Sequence, residues 1–433
     1  MASEENFYGL GIAPGILEVL ERLNFKIPTS IQAKSIPIAV QGKDVMGIAQ
    51  TGTGKTIAFG VPLIQGILQG RGKGLVVLPT RELALQVHDV LQKIGGSLHV
   101  NSAVMIGGEF IGRQIRELQK NPDILIGTPG RIIDHLNQRT LNLSRVKILV
   151  LDEADRMLDM GFAPQLAKIL ETVPKERQTM LFSATMPGQI MKIATSYMKL
   201  PVRVEIAPPG SALKEVTQEL FIVPKEAKLR LLEKLLSEYR GSVLVFVRTK
   251  FGVKKITHAV RTIGHTVSEI HSNRSLSQRR EALEGFRSGK YRVLIATDIA
   301  SRGIDVKGIE LVINYDLPAN PEDYIHRIGR TARAGMTGHA IAFATPDQRN
   351  DVRDIERLMR IALPPSKLPE LPPAREIPFM QPMQRGFTPR REGSHFQLPF
   401  RTSPLGKGHR HKGPFRGGDR RFSGRGRRFG PRS

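Results

Sequence analysis

Ala49-Gln50-Thr51-Gly52-Thr53-Gly54-Lys55-Thr56 is the stretch that decides the fold of this 433-residue chain. It follows an apolar strand pattern at residues 44–48 and precedes an apolar helical pattern at residues 57–59. In such a strand, loop and helix, glycines let backbone N–H groups point at phosphate oxygens, and the helix dipole favours the negative charge. Lys55 would reach the outer phosphates, and Thr56 would ligate Mg²⁺. The stretch therefore predicts a phosphate-binding loop for ATP and Mg²⁺, although Ala49 occupies the first glycine position of the general pattern.

An acidic cluster follows a second apolar strand pattern, at residues 149–151. Asp152-Glu153-Ala154-Asp155 would lie at the carboxyl edge of a parallel sheet, beside the phosphate loop. There Asp152 would hold Mg²⁺ through its water ligands, and Glu153 would orient and deprotonate the attacking water. The alternative for the loop is a glycine-rich turn without a ligand. The alternative for the acidic cluster is an acidic first turn of a helix. Their occurrence together favours a nucleoside-triphosphate hydrolase.

Short apolar runs bounded by Gly or Pro recur along the chain and alternate with longer helical patterns. This alternation predicts βαβ units, which build parallel sheets with helices on both faces. The series occurs twice, so the predicted fold class is α/β with two tandem domains of the same kind. The strand patterns are residues 75–78, 124–126, 148–151 and 180–182 in the first series, and 243–247, 293–296 and 311–313 in the second.

Two changes in composition set the predicted domain boundaries. Periodicity stops at Ala207-Pro208-Pro209-Gly210-Ser211, which is typical of a linker. After Leu363 the chain continues through Pro, Gly, Arg and Phe without an apolar period, a composition that cannot bury enough surface to fold. We therefore expect a first domain at 1–206, a linker at 207–215, a second domain at 216–363 and a disordered basic tail at 364–433.

The formal charge of +25 predicts a polyanionic partner. Residues 364–433 hold 16 Lys and Arg against 4 Asp and Glu, and the rest of the chain is also basic. A solvated cationic surface without a partner is the alternative. Cysteine is absent, which excludes disulfides, thiolate zinc sites and cysteine nucleophiles and fits a reducing compartment. Because no signal-peptide pattern and no apolar run of ~20 residues occurs, we expect a cytoplasmic protein without a membrane partner.

Taken together, the motifs resemble those of the DEAD-box ATP-dependent RNA helicases, in the family's order over about residues 7–345. The matching type is the bacterial one with a basic Arg/Gly-rich C-terminal tail, and the resemblance implies two tandem RecA-like domains. Besides the two segments above, it rests on Phe25-Lys26-Ile27-Pro28-Thr29-Ser30-Ile31-Gln32, Pro79-Thr80-Arg81-Glu82-Leu83, Gly107-Gly108, Thr128-Pro129-Gly130-Arg131, Ser183-Ala184-Thr185, Ala296-Thr297-Asp298-Ile299-Ala300-Ser301-Arg302-Gly303-Ile304-Asp305 and His326-Arg327-Ile328-Gly329-Arg330-Thr331-Ala332-Arg333.

The resemblance also implies roles for individual residues, grouped here by ligand. The implied ATP-binding residues are Phe25 stacked on adenine, Gln32 on the adenine edge, Thr51, Gly52, Thr53, Gly54, Lys55 and Thr56 of the loop, and Asp305 on the ribose. The implied contacts to the RNA backbone are Arg81, Gly108, Thr128, Arg131 and Thr297. The implied coupling residues are Asp155, Ser183, Thr185 and His326. The catalytic set is completed by Lys55, Asp152, Glu153 and two arginine fingers, Arg330 and Arg333.

One position departs from the family pattern. Leu276 stands where the family usually has a Gln, three residues before Arg279. The RNA or interdomain contact made by that Gln is therefore open in this chain.

The residues and the resemblance predict an RNA-dependent ATPase whose two domains close on ATP and RNA. The family grips and bends one strand, so short duplexes separate locally; single-stranded RNA, short RNA duplexes and ribonucleoproteins are the implied partners. Two other functions stay open, an RNA clamp with an incidental ATPase and a DNA translocase on the same scaffold. Glu153, Arg330 and Arg333 argue against the clamp, and Phe25 with Gln32 argues against the translocase.

The tail has a pattern of its own, in which Arg416-Gly417-Gly418 and Arg425-Gly426-Arg427-Arg428 are interleaved with Phe422 and Phe429. Charge and stacking would let such a segment tether RNA. A tail that serves only solubility is the alternative.

Overall fold

Each of the two predicted domains contains one sheet of parallel strands with helices packed against it. The computed structural model describes residues 6–49, 52–206, 216–298, 308–331, 338–363 and 365–373. Within these ranges every strand pairing in the two sheets is parallel. The predicted fold class, a tandem pair of α/β domains, is confirmed.

The first domain begins with a 3₁₀ turn at Phe7–Leu10 and carries a second one at Gly96–Leu98. Its strands are β1 (Val45–Ile48), β2 (Lys73–Val77), β3 (Ser102–Met105), β4 (Ile124–Gly127), β5 (Val146–Leu151), β6 (Gln178–Ser183) and β7 (Val202–Glu205). Its helices are α1 (Pro14–Arg22), α2 (Ser30–Ala39), α3 (Lys55–Leu68), α4 (Arg81–Gly95), α5 (Ile111–Gln119), α6 (Pro129–Asn137), α7 (Ala154–Asp159), α8 (Ala163–Thr172) and α9 (Gly188–Tyr197).

Both faces of the first sheet are buried, and each face has its own apolar core. Val76 of β2 and Val150 of β5 belong to the core that includes side chains of α1 to α4. Their neighbours Val77 and Leu149 point the other way, into the core that includes side chains of α6, α8 and α9. Burial on both faces explains why these strands read as continuous apolar runs in the sequence.

The strand order decides which loops become neighbours. It runs β3-β4-β2-β5-β6-β1-β7, and in a parallel sheet all carboxyl ends lie at one edge. The segments implied to bind RNA follow β3, β4 and β2, which are adjacent. The phosphate loop and the acidic cluster follow β1 and β5, which flank β6. The sheet thus separates the segments implied to bind RNA from the phosphate loop and the acidic cluster, with β6 between the latter two.

The second domain repeats this plan with the strand order β10-β11-β9-β12-β13-β8. Its strands are β8 (Val216–Ile222), β9 (Val243–Phe246), β10 (Val267–Ile270), β11 (Val293–Ala296), β12 (Leu311–Asn314) and β13 (Gly338–Ala344). Its helices are α10 (Lys228–Glu238), α11 (Lys250–Thr262), α12 (Leu276–Arg287), α13 (Pro321–Ile328) and α14 (Arg349–Met359). Across the described parts of both domains, the helices are too short or too polar to cross a membrane.

The segment after α14 corrects the predicted start of the tail. The backbone N–H of Ser366 donates to the carbonyl of Leu220 in β8, at 2.7 Å, and the guanidinium of Arg230 donates to the carbonyls of Leu371 and Pro372. Residues 365–373 are therefore held along the second domain. These contacts use backbone atoms, so they leave no apolar period in the sequence. The linker at 207–215 and the tail from 374 to 433 lie outside the described residues.

Candidate nucleotide and RNA site

The phosphate loop enters α3 through two glycines in the left-handed region. Gly52 has φ 88° and Gly54, the residue before α3, has φ 90°, values that only glycine adopts at low cost. Lys55 is buried, and its Nζ donates to the carbonyl of Ala49 at 3.1 Å. The backbone thus curls around the lysine at the start of the helix. Thr51 lies outside the described residues.

Two carboxylates meet this lysine from the end of β5. Oδ1 of Asp152 lies 3.8 Å from Nζ of Lys55, and both side chains are almost fully buried. Burial raises the pKa of Asp152 to about 6, although the ammonium of Lys55 opposes the shift. Glu153 follows in a left-handed conformation, φ 52°, which is strained for a residue with a side chain. With this conformation the chain leaves the direction of β5 at Glu153, at the sheet edge where the phosphate loop lies.

Arg156 keeps Glu153 ionised, a role that the sequence did not indicate. Its Nη1 lies 2.5 Å from Oε2 of Glu153, and both side chains are buried. Burial alone would raise the pKa of Glu153, but the charges of Arg156, Lys55 and Arg330 lower it to about 2. Arg330 belongs to the second domain, so both domains contribute to lowering this pKa.

The adenine segment is tied to the phosphate loop through Gln32. Its Nε2 donates to the carbonyl of Gly54 at 3.0 Å, and its Oε1 accepts from the backbone N–H of Thr29 at 2.9 Å. Thr29 in turn donates through its hydroxyl to the carbonyl of Thr53 at 2.7 Å. A primary amide has a second N–H and a second lone pair, which leaves Gln32 able to bind a base as well. Phe25 is partly exposed beside this segment, whereas Phe7 is a buried core residue.

Asp155, Ser183 and Thr185 form one hydrogen-bonded group between the loop and the second domain. Oδ2 of Asp155 accepts from the backbone N–H of Thr185 at 2.8 Å and from its hydroxyl at 3.0 Å. The hydroxyl of Ser183 accepts from the backbone N–H of Asp155, and its carbonyl accepts from the N–H of Ala49. The Thr185 hydroxyl also lies 3.5 Å from Glu322 on α13. The three predicted coupling residues of the first domain are therefore in direct contact.

The residues implied to bind RNA lie together at the other half of the edge. The guanidinium of Arg81 packs against Gly107 and Gly108, where φ of Gly108 is 79° and a side chain would collide with Arg81. Arg131 donates twice to the carbonyl of Glu109 at 3.3 Å, which ties the start of α6 to the same loop. Thr128 precedes α6 but makes no capping hydrogen bond, unlike Thr80 before α4. Its hydroxyl is therefore not used by the helix.

The second domain brings His326 and Arg330 to the acidic cluster. Burial and the charge of Arg156 lower the pKa of His326 to about 3, so its ring is neutral. Arg330 is 3% exposed, and its Nε donates to the carbonyl of His326 at 3.2 Å. Thr297 follows β11, with its N–H bonded to the carbonyl of Ile270. Asp305 and Arg333 lie outside the described residues.

Arg327, the first arginine in residues 326–333, binds other residues of the second domain. Its Nε and Nη2 bind the two carboxylate oxygens of Asp298 at 2.5 and 2.8 Å, and its Nη1 donates to Asn314 Oδ1 at 2.9 Å. It also donates to the carbonyl of Asp316 and lies over the ring of Phe246. Arg327 thus joins the carboxyl ends of β9, β11 and β12.

Replacing Arg327 with Ala is expected to lower the free energy of unfolding by about 3 kcal/mol, because a partly buried carboxylate and a buried amide lose their partner. Chemical unfolding followed by circular dichroism measures the change. The control is Arg357→Ala, which removes an exposed pair with Asp354 and is expected to cost less than about 0.5 kcal/mol. Equal stability of both variants would show that Arg327 does not join the strands.

The departure at Leu276 is an apolar interdomain contact. Leu276 begins α12, is 8% exposed and belongs to the same buried cluster as Leu78 and Ala84 of the first domain. Next to it, Nε of Arg279 lies 3.1 Å from Oε1 of Glu82, and both side chains are buried. At the position where the family usually has a Gln, this chain therefore has apolar packing of Leu276 beside an ion pair.

The donor chemistry around the loop fits Mg²⁺. The hydroxyl of Thr56 and the carboxylate of Asp152 are hard oxygen donors, which this ion prefers. Burial raises the pKa of Asp152, so a cation beside it would offset the cost of burying the anion.

Comparison with known proteins gives a consistent result. The family model described as DEAD/DEAH box helicase matches residues 29–193, and that described as helicase conserved C-terminal domain matches residues 227–335. The DEAD-box ATP-dependent RNA helicase CshA of Geobacillus kaustophilus is 43% identical over 373 residues, which are 86% of this chain and 80% of that protein.

Solved structures agree with these matches. Dbp5 of S. cerevisiae bound to RNA and ADP BeF3 has a TM-score of 0.75 at 29% identity, covering 83% of this chain and 96% of that chain. A DEAD box protein from the hyperthermophile Methanococcus jannaschii has a TM-score of 0.51 at 40% identity, covering 84% of this chain and 99% of that chain.

Proposed function

Because the chain belongs to the DEAD-box ATP-dependent RNA helicases, which are RNA-dependent ATPases, we propose that its two domains share one hydrolytic site. The observation that carries the proposal is the meeting of side chains from both domains at the acidic cluster. Glu153 and Asp155 of the first domain face His326 and Arg330 of the second, and Arg330 is close enough to affect the pKa of Glu153. Separating the domains would remove Arg330 from the site and stop hydrolysis.

In this site Glu153 orients the attacking water and accepts its proton. Lys55 holds the outer phosphates, and Arg330 stabilises the negative charge on the phosphoryl group in transfer, together with Arg333. Mg²⁺, held by Thr56 and by Asp152 through water, would neutralise phosphate charge. Phe25 and Gln32 bind adenine, and Asp305 binds the ribose. The buried contacts of Lys55 and Gln32 support these roles because they fix both groups before ATP arrives.

RNA binds across the rims of both domains and holds them together. Arg81, Gly108, Thr128 and Arg131 contact its sugar and phosphate groups, and Thr297 adds a contact from the second domain. Backbone contacts of this kind carry no base sequence, so the enzyme accepts many RNAs. RNA and the nucleotide therefore act on the same equilibrium between open and closed domains, because each stabilises the closed pair.

The coupling group of Asp155, Ser183 and Thr185 transmits closure between the two ligands. Its supports are the bonds of Ser183 to Ala49 of the phosphate loop and the approach of Thr185 to Glu322. A shift of α13 would move Thr185 and, through Asp155 and Ser183, the loop. His326 approaches the same Asp155 from the second domain.

We assign the enzyme a local, non-processive action on short RNA duplexes or ribonucleoproteins, in the cytoplasm, where RNA and ATP occur together. One closure grips only a few nucleotides of one strand, so a duplex opens only if the rest of it dissociates by itself. We propose that a linker at 207–215 divides the chain into domains 1–206 and 216–363, which close as rigid bodies.

The action is tested by measuring duplex separation as a function of duplex length. We expect short RNA duplexes to separate in an ATP-dependent reaction whose rate falls steeply with each added base pair, and matched DNA duplexes to stay paired. A rate independent of length would indicate processive translocation instead. ATP hydrolysis without any strand separation would indicate an RNA clamp.

A further inference from the structure

We propose that Phe110 is a stacking platform for one RNA base, an inference that rests on the RNA path proposed above. Phe110 immediately precedes α5, two residues after Gly108. Its ring is 76% exposed, which makes it one of the most exposed large apolar side chains in the described part of the chain. A lone exposed ring is common on protein surfaces, so the case depends on what holds this ring and what surrounds it.

The ring of Phe110 lies close to Gly112. A Cβ atom on Gly112 would lie 2.6 Å from Cε1 of Phe110, so a side chain at position 112 would displace the ring. The ring therefore lies against the backbone of the first turn of α5, while most of its surface remains open to solvent. An aromatic side chain has only two rotatable χ angles, so it loses little conformational entropy when a base stacks on it.

Cationic side chains contact the residues just before Phe110 in the same loop. Arg131 is bonded to the carbonyl of Glu109, and Arg81 packs on Gly107 and Gly108. From the second domain, Arg280 lies 3.9 Å from the carboxylate of Glu109. Phosphates bound by these arginines would bring their bases to Phe110, because one ribose separates a base from its phosphate. Stacking is possible with every base, which agrees with RNA binding that does not depend on sequence.

The first test compares the affinity for single-stranded RNA of four variants, in the full-length protein. We expect Phe110→Ala and Phe110→Leu to bind roughly tenfold more weakly and Phe110→Trp to bind as tightly as the unchanged protein, because stacking requires an aromatic ring. The control is Leu200→Ala, which removes a 97% exposed apolar side chain at the amino end of β7, the opposite edge of the sheet. It should leave the affinity unchanged.

The second test identifies the base itself. In a series of RNA strands, one abasic nucleotide is moved along the sequence, so the backbone stays intact while one base is missing. We expect the unchanged protein to lose roughly tenfold in affinity at one position of the abasic site, and Phe110→Ala to show no loss there. A loss of the same size in both proteins would mean that the base contacts something else.

A third readout uses the absence of tryptophan from the chain. Phe110→Trp introduces a single indole. Its fluorescence should be quenched when intact RNA binds. It should not change with the RNA strand whose abasic nucleotide lies at the position identified in the second test. Leu200→Trp should respond to neither strand. An unquenched indole at position 110 in the RNA complex would overturn the proposal.

Arg131→Ala separates this inference from the proposed RNA path. If it weakens RNA binding while Phe110→Ala does not, Phe110 is no platform and the path stands. If neither variant changes the affinity, the path itself is wrong and the inference fails with it.

Discussion

Replacing Glu153 with Gln is expected to lower the rate of RNA-stimulated ATP hydrolysis at least a hundredfold, roughly the contribution of a positioned acid–base group. The amide keeps the size of the side chain but cannot accept a proton. The charges of Arg156, Lys55 and Arg330 hold the pKa of Glu153 below its usual value, so the ionised carboxylate can orient the water and accept its proton. The measurement is the steady-state rate at saturating ATP and RNA, with binding of both ligands determined separately.

Binding is expected to survive this substitution, because Gln still fits beside Arg156. The matched control is Glu171→Gln, an equally small change on the exposed surface of α8, which should leave the rate unchanged. A Glu153→Gln protein that hydrolyses ATP at more than about a tenth of the original rate contradicts the assigned role.

Replacing Arg330 is expected to have an even larger effect, a loss of roughly a thousandfold in the hydrolysis rate. The guanidinium supplies positive charge to the transferring phosphoryl group from the second domain. Arg330→Lys keeps the charge but not the planar fork, so it should recover only a small part of the rate. Single-turnover hydrolysis with bound RNA measures the rate of phosphoryl transfer without a contribution from product release.

Arg330 is buried, so stability must be checked alongside activity. Thermal unfolding of Arg330→Lys should stay close to that of the unchanged protein, while hydrolysis falls. Arg353→Ala, on the exposed surface of α14, is the control for loss of an arginine. Hydrolysis at the original rate in a folded Arg330→Ala protein would exclude this residue as a finger.

The nucleotide half of the site could be predicted from the sequence because its chemistry is local. The loop residues follow one another, and Asp152 and Glu153 directly follow an apolar strand. The strand order β5-β6-β1 then brings the two segments together, which βαβ connections make a regular outcome. The parallel sheets were predictable for the same reason, since apolar runs buried on both faces leave a clear pattern.

The contacts between distant segments could not be predicted in this way. Arg327 and Arg330 stand in one basic run, yet only the strands that carry Asp298 and Asn314 make Arg327 structural. Nothing in the sequence around Arg156 indicates its ion pair with Glu153. These roles depend on partners that are fixed by packing and not by spacing along the chain.

Leu276 shows the same limit at the domain interface. An apolar residue at a position usually occupied by an amide indicates a lost polar contact, but it does not show what replaces it. The structure places Leu276 in the core of the first domain, beside the buried pair of Arg279 and Glu82. The segment at 365–373 escaped prediction for a related reason, since backbone carbonyls and N–H groups hold it, together with the packing of Leu371 against the second core.

The central claim is that RNA completes the ATP site by holding the two domains together. The most direct test is the steady-state rate of ATP hydrolysis without nucleic acid, with single-stranded RNA, and with single-stranded DNA of the same sequence. We expect strong stimulation by RNA and little by DNA, because contacts to the ribose hydroxyls distinguish the two strands. A rate that ignores RNA, or that rises equally with DNA, would contradict the claim.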